Sequence, residues 1–574
     1  MIKWIRELRR RKVFRVVGSY AVIAWLLIQV IVSVEAPLGL PDWSDTVVIL
    51  ALILGFPVCA VLAWLYDFST KGIERTEAVD DPSSLELKPA DRWVIAGSIL
   101  AAALLLGTSI YLVIGNLREE TQTLAVLPFI SSSEDNEIQY LGDGIRDSLV
   151  TRLSRLKNLR IKSANLDSIG QDVSRLGVLL GVDVLCRGRI VEHGNAFEIV
   201  AELLKTSDNT IIWREQFSSQ AMNLLDIESK VSGAIAKQMG FEVTEKDEEE
   251  LSRASTANPA AHQLYLQGRY FWNRRTAAGF ETSIGFYEDA LKLDPNFALA
   301  HAGLAQTYLM ILGWGIQKPD TVAQQIVDSA ERSISLDPTL AEPHAALGYF
   351  KTLYERDWDG ARESFLRAIE LNNNYSSAHH WYAFLLMTEG NMRAAIEEIR
   401  LARELEPLSP IINSEVGYFH LFANEFEQAR DALVEAQRLD PNYLTTLVNL
   451  TRTHALLGSE EEALKTIERF RAIADDDPLH NAYFAMALPR VGLSEESQSI
   501  YRQLNLVSED MYVMPGLLGV LAASFGDFDA ASAHFESGLQ DRSLIVSWLR
   551  DPLLSEFHAD DRYAELMKRI GLDP

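Results

Sequence analysis

The sequence predicts a mainly α-helical protein with three parts: three transmembrane helices, a small α/β domain and an α-solenoid. Three observations carry this prediction. Three long apolar stretches without charge lie within the first 115 residues, an alternating pattern appears between residues 122 and 242, and a helical motif then recurs at a fixed spacing. Because one core rarely serves more than about 250–300 residues, a chain of 574 residues is expected to fold as several domains.

The apolar stretches are residues 16–34, 47–66 and 93–115. About 20 helical residues, at a rise of about 1.5 Å each, cover the roughly 30 Å hydrocarbon core of a bilayer. The sequence therefore predicts a three-helix membrane anchor over residues 16–115. Small residues spaced four apart in the third stretch would also allow oligomerisation through these helices.

Positive charges around the stretches predict their orientation. Seven Lys or Arg residues lie in the basic segment 1–15, four lie between the second and third stretches, and one follows the third. Lys and Arg are retained on the cytoplasmic side, so the amino terminus is predicted to be cytoplasmic and the part after residue 115 to lie across the membrane. A cleaved signal peptide is the alternative interpretation of the first stretch.

Residues 122–242 show the pattern of an α/β domain. A short apolar strand, "TLAVLPF", precedes a helical pattern for which Asp143 is the expected N-cap. Residues 182–217 alternate and turn twice, which predicts a three-stranded meander with Cys186 buried, and "LLDIESKVSGAIAKQMG" predicts a closing helix. The expected fold is an α/β sandwich with one covered sheet face, followed by a linker at 243–258.

A helix-turn-helix motif then repeats. Ala395, Ala429 and Ala463 are 34 residues apart, as are Pro407 and Pro441. About eight units fit between residues 259 and 541, and residues 542–574 are predicted to form a C-terminal capping helix. Small residues at fixed slots would let paired helices approach closely, and stacking would bury faces that one hairpin cannot bury alone.

This 34-residue period resembles the tetratricopeptide repeat. The sequence "LAVLPF…YLGDGIRDSLVTRLSRL" resembles the TolB amino-terminal-like domain. The sequence "ELRRRKVFRVVGSYAVIAWLLIQV" resembles the membrane anchor of a bacterial family of tetratricopeptide proteins that carry that domain. The resemblance implies a multi-pass protein of the bacterial inner membrane with its C-terminal domains in the periplasm. It also implies an α/β domain with no known catalytic chemistry of its own.

Stacked repeats form a superhelix whose concave wall is lined by the first helix of each unit, where partners usually dock. Counting slots places five residues on that wall: Tyr349, His380, Phe384, Tyr418 and Arg452. Aromatic and arginine side chains are typical of protein-binding and peptide-binding surfaces. The alternative interpretation is that each residue only packs against the adjoining first helix.

Other function classes are disfavoured. After residue 116, 69 Asp and Glu residues exceed 42 Lys and Arg residues, so nucleic acid is not expected as a partner. No hydrolase, metalloprotease or nucleotide-binding motif occurs in a supporting context, and the adjacent His379 and His380 lack a second cluster of ligands. We therefore expect no enzyme activity, no cofactor and no metal.

The sequence thus predicts a membrane-anchored periplasmic scaffold or adaptor that binds a protein or peptide partner through its repeats. The alternative is a signal-transduction or sensor protein related to membrane-bound cyclases and transcriptional regulators, with the catalytic or DNA-binding module absent. A third possibility, an enzyme with an unrecognised site in the α/β domain, would depend on Asp143.

Overall fold

The computed structural model describes residues 122–131, 136–154, 156, 159–163, 173–193, 196–219, 224–239, 255–474, 478–508, 511–543 and 546–573, with scattered positions before residue 76. The chain divides into two compact units, Met1–Glu120 and Thr121–Pro574. In the first unit, strands β1 (Tyr66–Ser69) and β2 (Gly72–Arg75) form an antiparallel hairpin in which Tyr66 lies opposite Arg75.

The prediction of three transmembrane helices is corrected by the structure. Across the described residues, no helix combines the length and the apolar character that a bilayer crossing requires. Most of residues 16–34 and 47–66, and all of 93–115, lie outside the described residues. Tyr66, the last residue of the second predicted span, belongs to strand β1, where it pairs with another strand instead of continuing a helix. The transmembrane fold class and the multi-pass inner-membrane localisation are therefore wrong on this finding.

The second unit begins with a mixed sheet. Its strands are β3 (Gln122–Val126), β4 (Ile130–Ser131), β5 (Leu159–Ser163), β6 (Val184–His193), β7 (Ala196–Lys205) and β8 (Ile211–Ser219). Within the described residues the strand order is β5-β3-β6-β7-β8, and β4 pairs with β6. Strand β3 is parallel to β5 and β6, whereas β6, β7 and β8 form the antiparallel meander that the alternating pattern predicts.

Helices lie on both faces of this sheet. Helices α1 (Asn136–Leu153) and α3 (Leu224–Gln238) cover one face and share a core with Leu124, Val126 and Cys186 of the strands. Helix α2 (Val173–Leu180) packs on the other face against Ala125 and Leu185. The prediction of one covered face is therefore incomplete. Burial raises the pKa of the Cys186 thiol to about 12, as expected for a core cysteine.

Asp143 is not a helix cap. Helix α1 begins at Asn136, so Asp143 lies within its second turn, and its carboxylate forms an ion pair with Arg146 at 3.0 Å. The sequence interpretation failed because the polar stretch before Asp143 is itself helical.

Eight consecutive helical hairpins fill the described residues from Pro259 to Gln540. Their first and second helices are α4 (Pro259–Asn273) and α5 (Ala277–Leu293), α6 (Ala298–Gly313) and α7 (Pro319–Leu336), α8 (Glu342–Phe350) and α9 (Trp358–Leu371), α10 (Ser376–Thr388) and α11 (Met392–Leu405), α12 (Pro410–Phe422) and α13 (Phe426–Leu439), α14 (Leu444–Leu457) and α15 (Glu460–Ile473), α16 (Pro478–Ala485) and α17 (Ser494–Val507), and α18 (Pro515–Ser524) and α19 (Phe528–Gln540). Four successive first helices begin at residues 376, 410, 444 and 478, each 34 residues after the one before. The mainly helical solenoid that the repeat period predicts is confirmed.

The acidic residue before each proline ends a second helix as the sequence predicts. Asp294, Asp337 and Asp440 have extended backbones, with φ near −141°, −142° and −133°, and each is followed by proline. Proline disfavours the helical conformation of the residue before it, so the chain leaves the helix there and turns into the next hairpin.

Small residues in the first helices allow close contact with the second helices. A Cβ added at Gly417 would lie 2.4 Å from Leu433 Cγ and 3.0 Å from the Ala429 carbonyl oxygen. We expect Gly417→Ala to lower the free energy of unfolding by about 1–3 kcal/mol, the usual cost of overpacking a core. Gly285 is the matched control, since it lies exposed in helix α5 with no atom within 4 Å of an added Cβ.

Gly285→Ala is expected to raise stability by up to about 1 kcal/mol, because alanine favours the helix over glycine. Urea denaturation of the two variants measures both effects. Equal changes at the two positions would contradict the packing role of Gly417.

Burial lowers the pKa of several histidines in this region, and they are His301, His344, His454, His534 and His558. For His454 on α14, burial lowers the pKa most, the Glu462 charge opposes the shift and the Arg430 charge adds to it. The folded state then binds fewer protons than the unfolded state, so its contribution to stability is full above a pH of about 6.5 and is lost as the pH falls. We expect His454→Gln to lose less stability than the wild type between pH 7.5 and 5.5 in thermal melts. An unchanged or steeper pH dependence would contradict this assignment.

After the last hairpin the chain forms two short 3-10 helices, Val546–Arg550 and Pro552–Leu554, and then α20 (Ser555–His558) and α21 (Asp561–Arg569). Helix α21 is bound to α19 by ion pairs from Arg562 to Asp529 and from Arg569 to Glu536. It covers the end of the stack as a capping helix would. Residues 546–554, by contrast, lie against the first helices of earlier hairpins.

Candidate partner-binding face of the repeats

The five predicted residues lie on the first helices of four consecutive hairpins. Tyr349 is on α8, His380 and Phe384 are on α10, Tyr418 is on α12 and Arg452 is on α14. The spacing of the repeat places equivalent helix faces side by side, so these side chains follow one wall of the solenoid.

Tyr349, Phe384, Tyr418 and Arg452 line one cavity with a volume of about 160 Å³. That volume exceeds many times the roughly 10–15 Å³ that one water molecule needs. His380 does not line the cavity, but its Nε2 lies beside the carboxylate of Glu415, which does. The remaining lining residues are Gly313, Trp314, Thr352, Leu353, Thr388, Thr445, Val448, Asn449, Leu479, His480, Tyr483, Val546, Ser547 and Trp548.

Aromatic rings run along this wall from one hairpin to the next. The ring centroids of Tyr349 and Phe384 are 6.0 Å apart, and those of Phe384 and Tyr418 are 6.1 Å apart. Tyr349 also stacks on Trp381 with centroids 5.4 Å apart. Burial, and to a lesser extent the nearby Glu415 charge, raises the pKa of Tyr349, so its hydroxyl stays neutral. Tyr349, Phe384 and Tyr418 thus line the cavity and also pack against the neighbouring first helices.

Arg452 is buried, with 1% of its surface exposed. Its guanidinium forms an ion pair with Asp551, which is fully buried, and Nη1 donates a hydrogen bond of 2.9 Å to Asn449 Oδ1. The guanidinium carbon also lies 5.6 Å from the ring centroid of Tyr418 and 5.3 Å from that of Tyr483. Charge pairing and cation–π contacts together compensate for the removal of the guanidinium from water.

Asp551 belongs to residues 546–554, with the sequence "VSWLRDPLL", which we call the C-terminal segment. Its Trp548 ring meets the Tyr483 ring edge-on at 5.5 Å, and Arg550 Nε donates a hydrogen bond of 2.9 Å to the Thr388 carbonyl oxygen. The C-terminal segment therefore contacts the first helices α10, α14 and α16. A predicted capping helix over all of 542–574 does not account for these contacts.

The α/β domain lies against the first helices of the earlier hairpins. Asp147 on α1 accepts a hydrogen bond of 3.2 Å from Asn273 Nδ2 and lies 3.7 Å from Arg269 Nη2, both on α4. Burial alone would raise the pKa of Asp147, but Arg146 and Arg269 outweigh it and lower that pKa. At the sheet edge, Asn374 Nδ2 donates a hydrogen bond of 3.0 Å to the Leu159 carbonyl oxygen.

A buried polar cluster also joins the α/β domain to the first repeat helix, α4. The Glu228 carboxylate on α3 is fully buried, and both its oxygens lie 3.0 Å from His262 Nε2 on α4. Ser148 Oγ on α1 donates a hydrogen bond of 2.5 Å to Glu228, and Arg152 Nη2 lies 3.8 Å from it. Sequence reasoning missed this cluster because polar residues on three separate helices carry no local motif.

His379 has structural partners. Its Nδ1 lies 2.7 Å from Glu398 Oε2, and its Nε2 lies 3.1 Å from the Asn373 carbonyl oxygen. Within the ranges that the structure describes, no group of three or more His, Cys, Asp or Glu side chains is arranged to hold a metal ion.

The hairpins, their 34-residue spacing and their small-residue contacts form a tetratricopeptide-like α-solenoid, with a small mixed sheet before the repeats. A profile of the second domain of HilA/YgeH-like transcriptional regulators matches residues 120–233, which contain that sheet.

Curated proteins similar to the chain include a putative cyclase and a transcriptional regulator. It is 24% identical over 231 residues to the putative adenylate cyclase 3 of Rhizobium meliloti (strain 1021), covering 39% of this chain and 39% of that protein. The chain therefore spans well under two thirds of that relative. It is 20% identical over 452 residues to the transcriptional regulator HilA of Salmonella typhimurium (strain LT2), covering 76% of this chain and 78% of that protein.

Among solved structures, the type IV pilus biogenesis factor PilW aligns with a TM-score of 0.31 and 17% identity, covering 38% of this chain and 94% of PilW. A human IFIT1 dimer with m7Gppp-AAAA aligns with a TM-score of 0.35 and 13% identity, covering 55% of this chain and 77% of that one. Scores at this level do not contribute to the functional argument.

Proposed function

We propose that this protein is a non-catalytic scaffold or adaptor that binds a protein or peptide partner through the concave face of its repeats. The binding residues are Tyr349, His380, Phe384, Tyr418 and Arg452. The observation that carries this proposal is that the wall already holds a short stretch of polypeptide, residues 546–554, which forms two 3-10 turns and contacts the first helices through an ion pair and aromatic contacts. A surface that binds one short segment by these means has the chemistry to bind another.

Photocrosslinking in cells tests the proposal. The photoreactive residue p-benzoylphenylalanine replaces Phe384, which is half-buried and lines the cavity. The control replaces Leu366, which is 49% exposed on the second helix α9. We expect position 384, and not position 366, to capture one dominant protein that mass spectrometry identifies. The same products from both positions, or products within the chain alone, would contradict the proposal.

A second candidate is a signal-transduction role, in which partner binding at the repeats is transmitted to the α/β domain. It is supported by the match of residues 120–233 to a transcriptional-regulator domain and by relatives named as a regulator and a putative cyclase. The contacts of Asp147 and Glu228 with α4 supply a physical connection between the two parts. This second proposal includes the assignment of the α/β domain as a TolB amino-terminal-like domain.

Hydrogen exchange separates the two candidates. Adding a captured partner to a signalling protein is expected to change exchange in α1 and α3, whereas a plain scaffold would show changes at α8, α10, α12 and α14 alone.

A further inference from the structure

The C-terminal segment is seated on the repeats by buried apolar side chains. Val546, Trp548, Leu549, Leu553 and Leu554 are each at most 5% exposed. Burial of this kind is the main favourable term in the binding of one protein segment to another. The segment therefore contacts the array as a bound peptide would, although it belongs to the same chain.

Polar contacts fix the register of the segment. Asp551 uses one carboxylate oxygen to pair with Arg452 and the other, Oδ1, to accept a hydrogen bond of 2.9 Å from the Leu553 backbone nitrogen. Asp551 thus both neutralises the charge of Arg452 and caps the short helix Pro552–Leu554. The segment thus contacts the wall through one acidic side chain, followed in sequence by proline and two buried leucines.

We propose that residues 546–554 are an internal ligand of the repeat array, and that a partner protein replaces them with a segment of the same chemistry. That segment places an Asp or Glu carboxylate on Arg452 and apolar side chains in the positions of Leu553 and Leu554. This inference rests on the proposed scaffold function and names the kind of partner that the scaffold accepts.

Arg452 is the reason that the partner must be acidic at one position. Its guanidinium is 1% exposed, and among its contacts with described residues only Asp551 carries a compensating negative charge, because Asn449 and the aromatic rings are uncharged. A segment without a carboxylate would leave a buried positive charge unpaired, which is strongly unfavourable. The array therefore discriminates against neutral and basic segments at this point.

The tether explains why exchange is regulated. A segment joined to its own binding site competes at an effective concentration that is on the order of millimolar for a short flexible connection. The helices after the segment are held by the pairs Arg562–Asp529 and Arg569–Glu536 and by buried Phe557, Leu566 and Met567, so they stay in place when the segment is replaced. A partner thus competes with a tethered occupant, and weakening that occupant should open the site.

The test uses the full-length chain and a fluorescent peptide with the sequence of residues 546–554. In fluorescence anisotropy titrations, we expect the peptide to bind the Asp551→Asn chain about tenfold or more tightly than the wild type, the change expected when a charge-assisted hydrogen bond is weakened. A peptide with asparagine in place of its aspartate should bind neither chain. A chain carrying both Arg452→Gln and Asp551→Asn should not bind the original peptide.

Equal affinity for the wild type and Asp551→Asn, absence of binding to a folded Asp551→Asn chain, or binding that survives Arg452→Gln would overturn the proposal. If light scattering showed that Asp551→Asn dimerises, with residues 546–554 of a second copy bound at the site on the repeats, the proposal would also be overturned. Should Asp551→Asn fail to fold, Arg550→Ala carries the test, because it removes the hydrogen bond to Thr388 and leaves the buried pair intact. It should raise peptide affinity by a smaller factor, and no rise would count against the proposal.

The two proposals fail in different ways. Peptide exchange without capture of another protein at position 384 would support the internal-ligand proposal and contradict the scaffold proposal. Capture of a partner without peptide exchange would support the scaffold proposal and contradict the internal-ligand proposal.

Discussion

Replacing Asp551 with alanine is expected to lower the free energy of unfolding by about 3–5 kcal/mol, the cost of leaving one member of a buried ion pair without its partner. Arg452 would then retain its hydrogen bond to Asn449 and its aromatic neighbours, but its charge would be uncompensated in a site with 1% exposure. Arg452→Ala should cost a similar amount, because it leaves the buried Asp551 carboxylate unpaired.

A double-mutant cycle in urea separates the pair from its surroundings. The double variant Arg452→Met/Asp551→Leu should cost much less than the single variants Arg452→Met and Asp551→Leu added together, because each single variant leaves one buried charge and the double variant leaves none. The control is Arg393→Ala, which breaks a pair with Glu397 whose side chains are 93% and 63% exposed. That control should change stability by less than about 0.5 kcal/mol. Additive losses from the two single variants would show that Arg452 and Asp551 do not act as a pair.

Glu228→Ala is expected to lower stability by about 3–5 kcal/mol as well, since it removes the acceptor shared by Ser148 and His262 and the negative charge beside Arg152. Glu228 joins α1, α3 and α4, so its loss should also increase hydrogen exchange in α4 at the junction with the α/β domain.

Glu404→Ala is the matched control for this second prediction. It removes an ion pair with Arg160 between the same two parts, but those side chains are 51% and 48% exposed. The expected loss is below about 1 kcal/mol. If both variants cost the same, the buried cluster does not hold the two parts together.

The repeats were predictable because their physics is local. Proline ends a helix at the residue before it, small residues mark close helix contacts, and both recur every 34 residues, so Gly417 and Asp440 take the positions that the pattern assigns. The meander of β6, β7 and β8 was predictable for the same reason, since alternation and turns lie within one stretch of sequence.

Long-range contacts were not predictable. Arg452 and Asp551 are 99 residues apart, and Ser148 and Glu228 are 80 apart, and no spacing in the sequence relates them. The dipeptide Asp551–Pro552 does not distinguish the C-terminal segment, because the same acidic-proline pattern marks ordinary turns between repeats. The sequence therefore predicts a concave wall free for a partner, whereas in the structure residues 546–554 lie against it.

Hydrogen exchange of residues 546–554 in the full-length wild type tests the central claim most directly. The backbone nitrogens of Leu553 and Leu554 donate hydrogen bonds to Asp551, and the segment is buried against the first helices. We predict slow exchange across the segment, comparable to that of α14, and faster exchange in Asp551→Asn. Exchange in the wild type at the rate of an unstructured peptide would contradict a segment seated on the concave face.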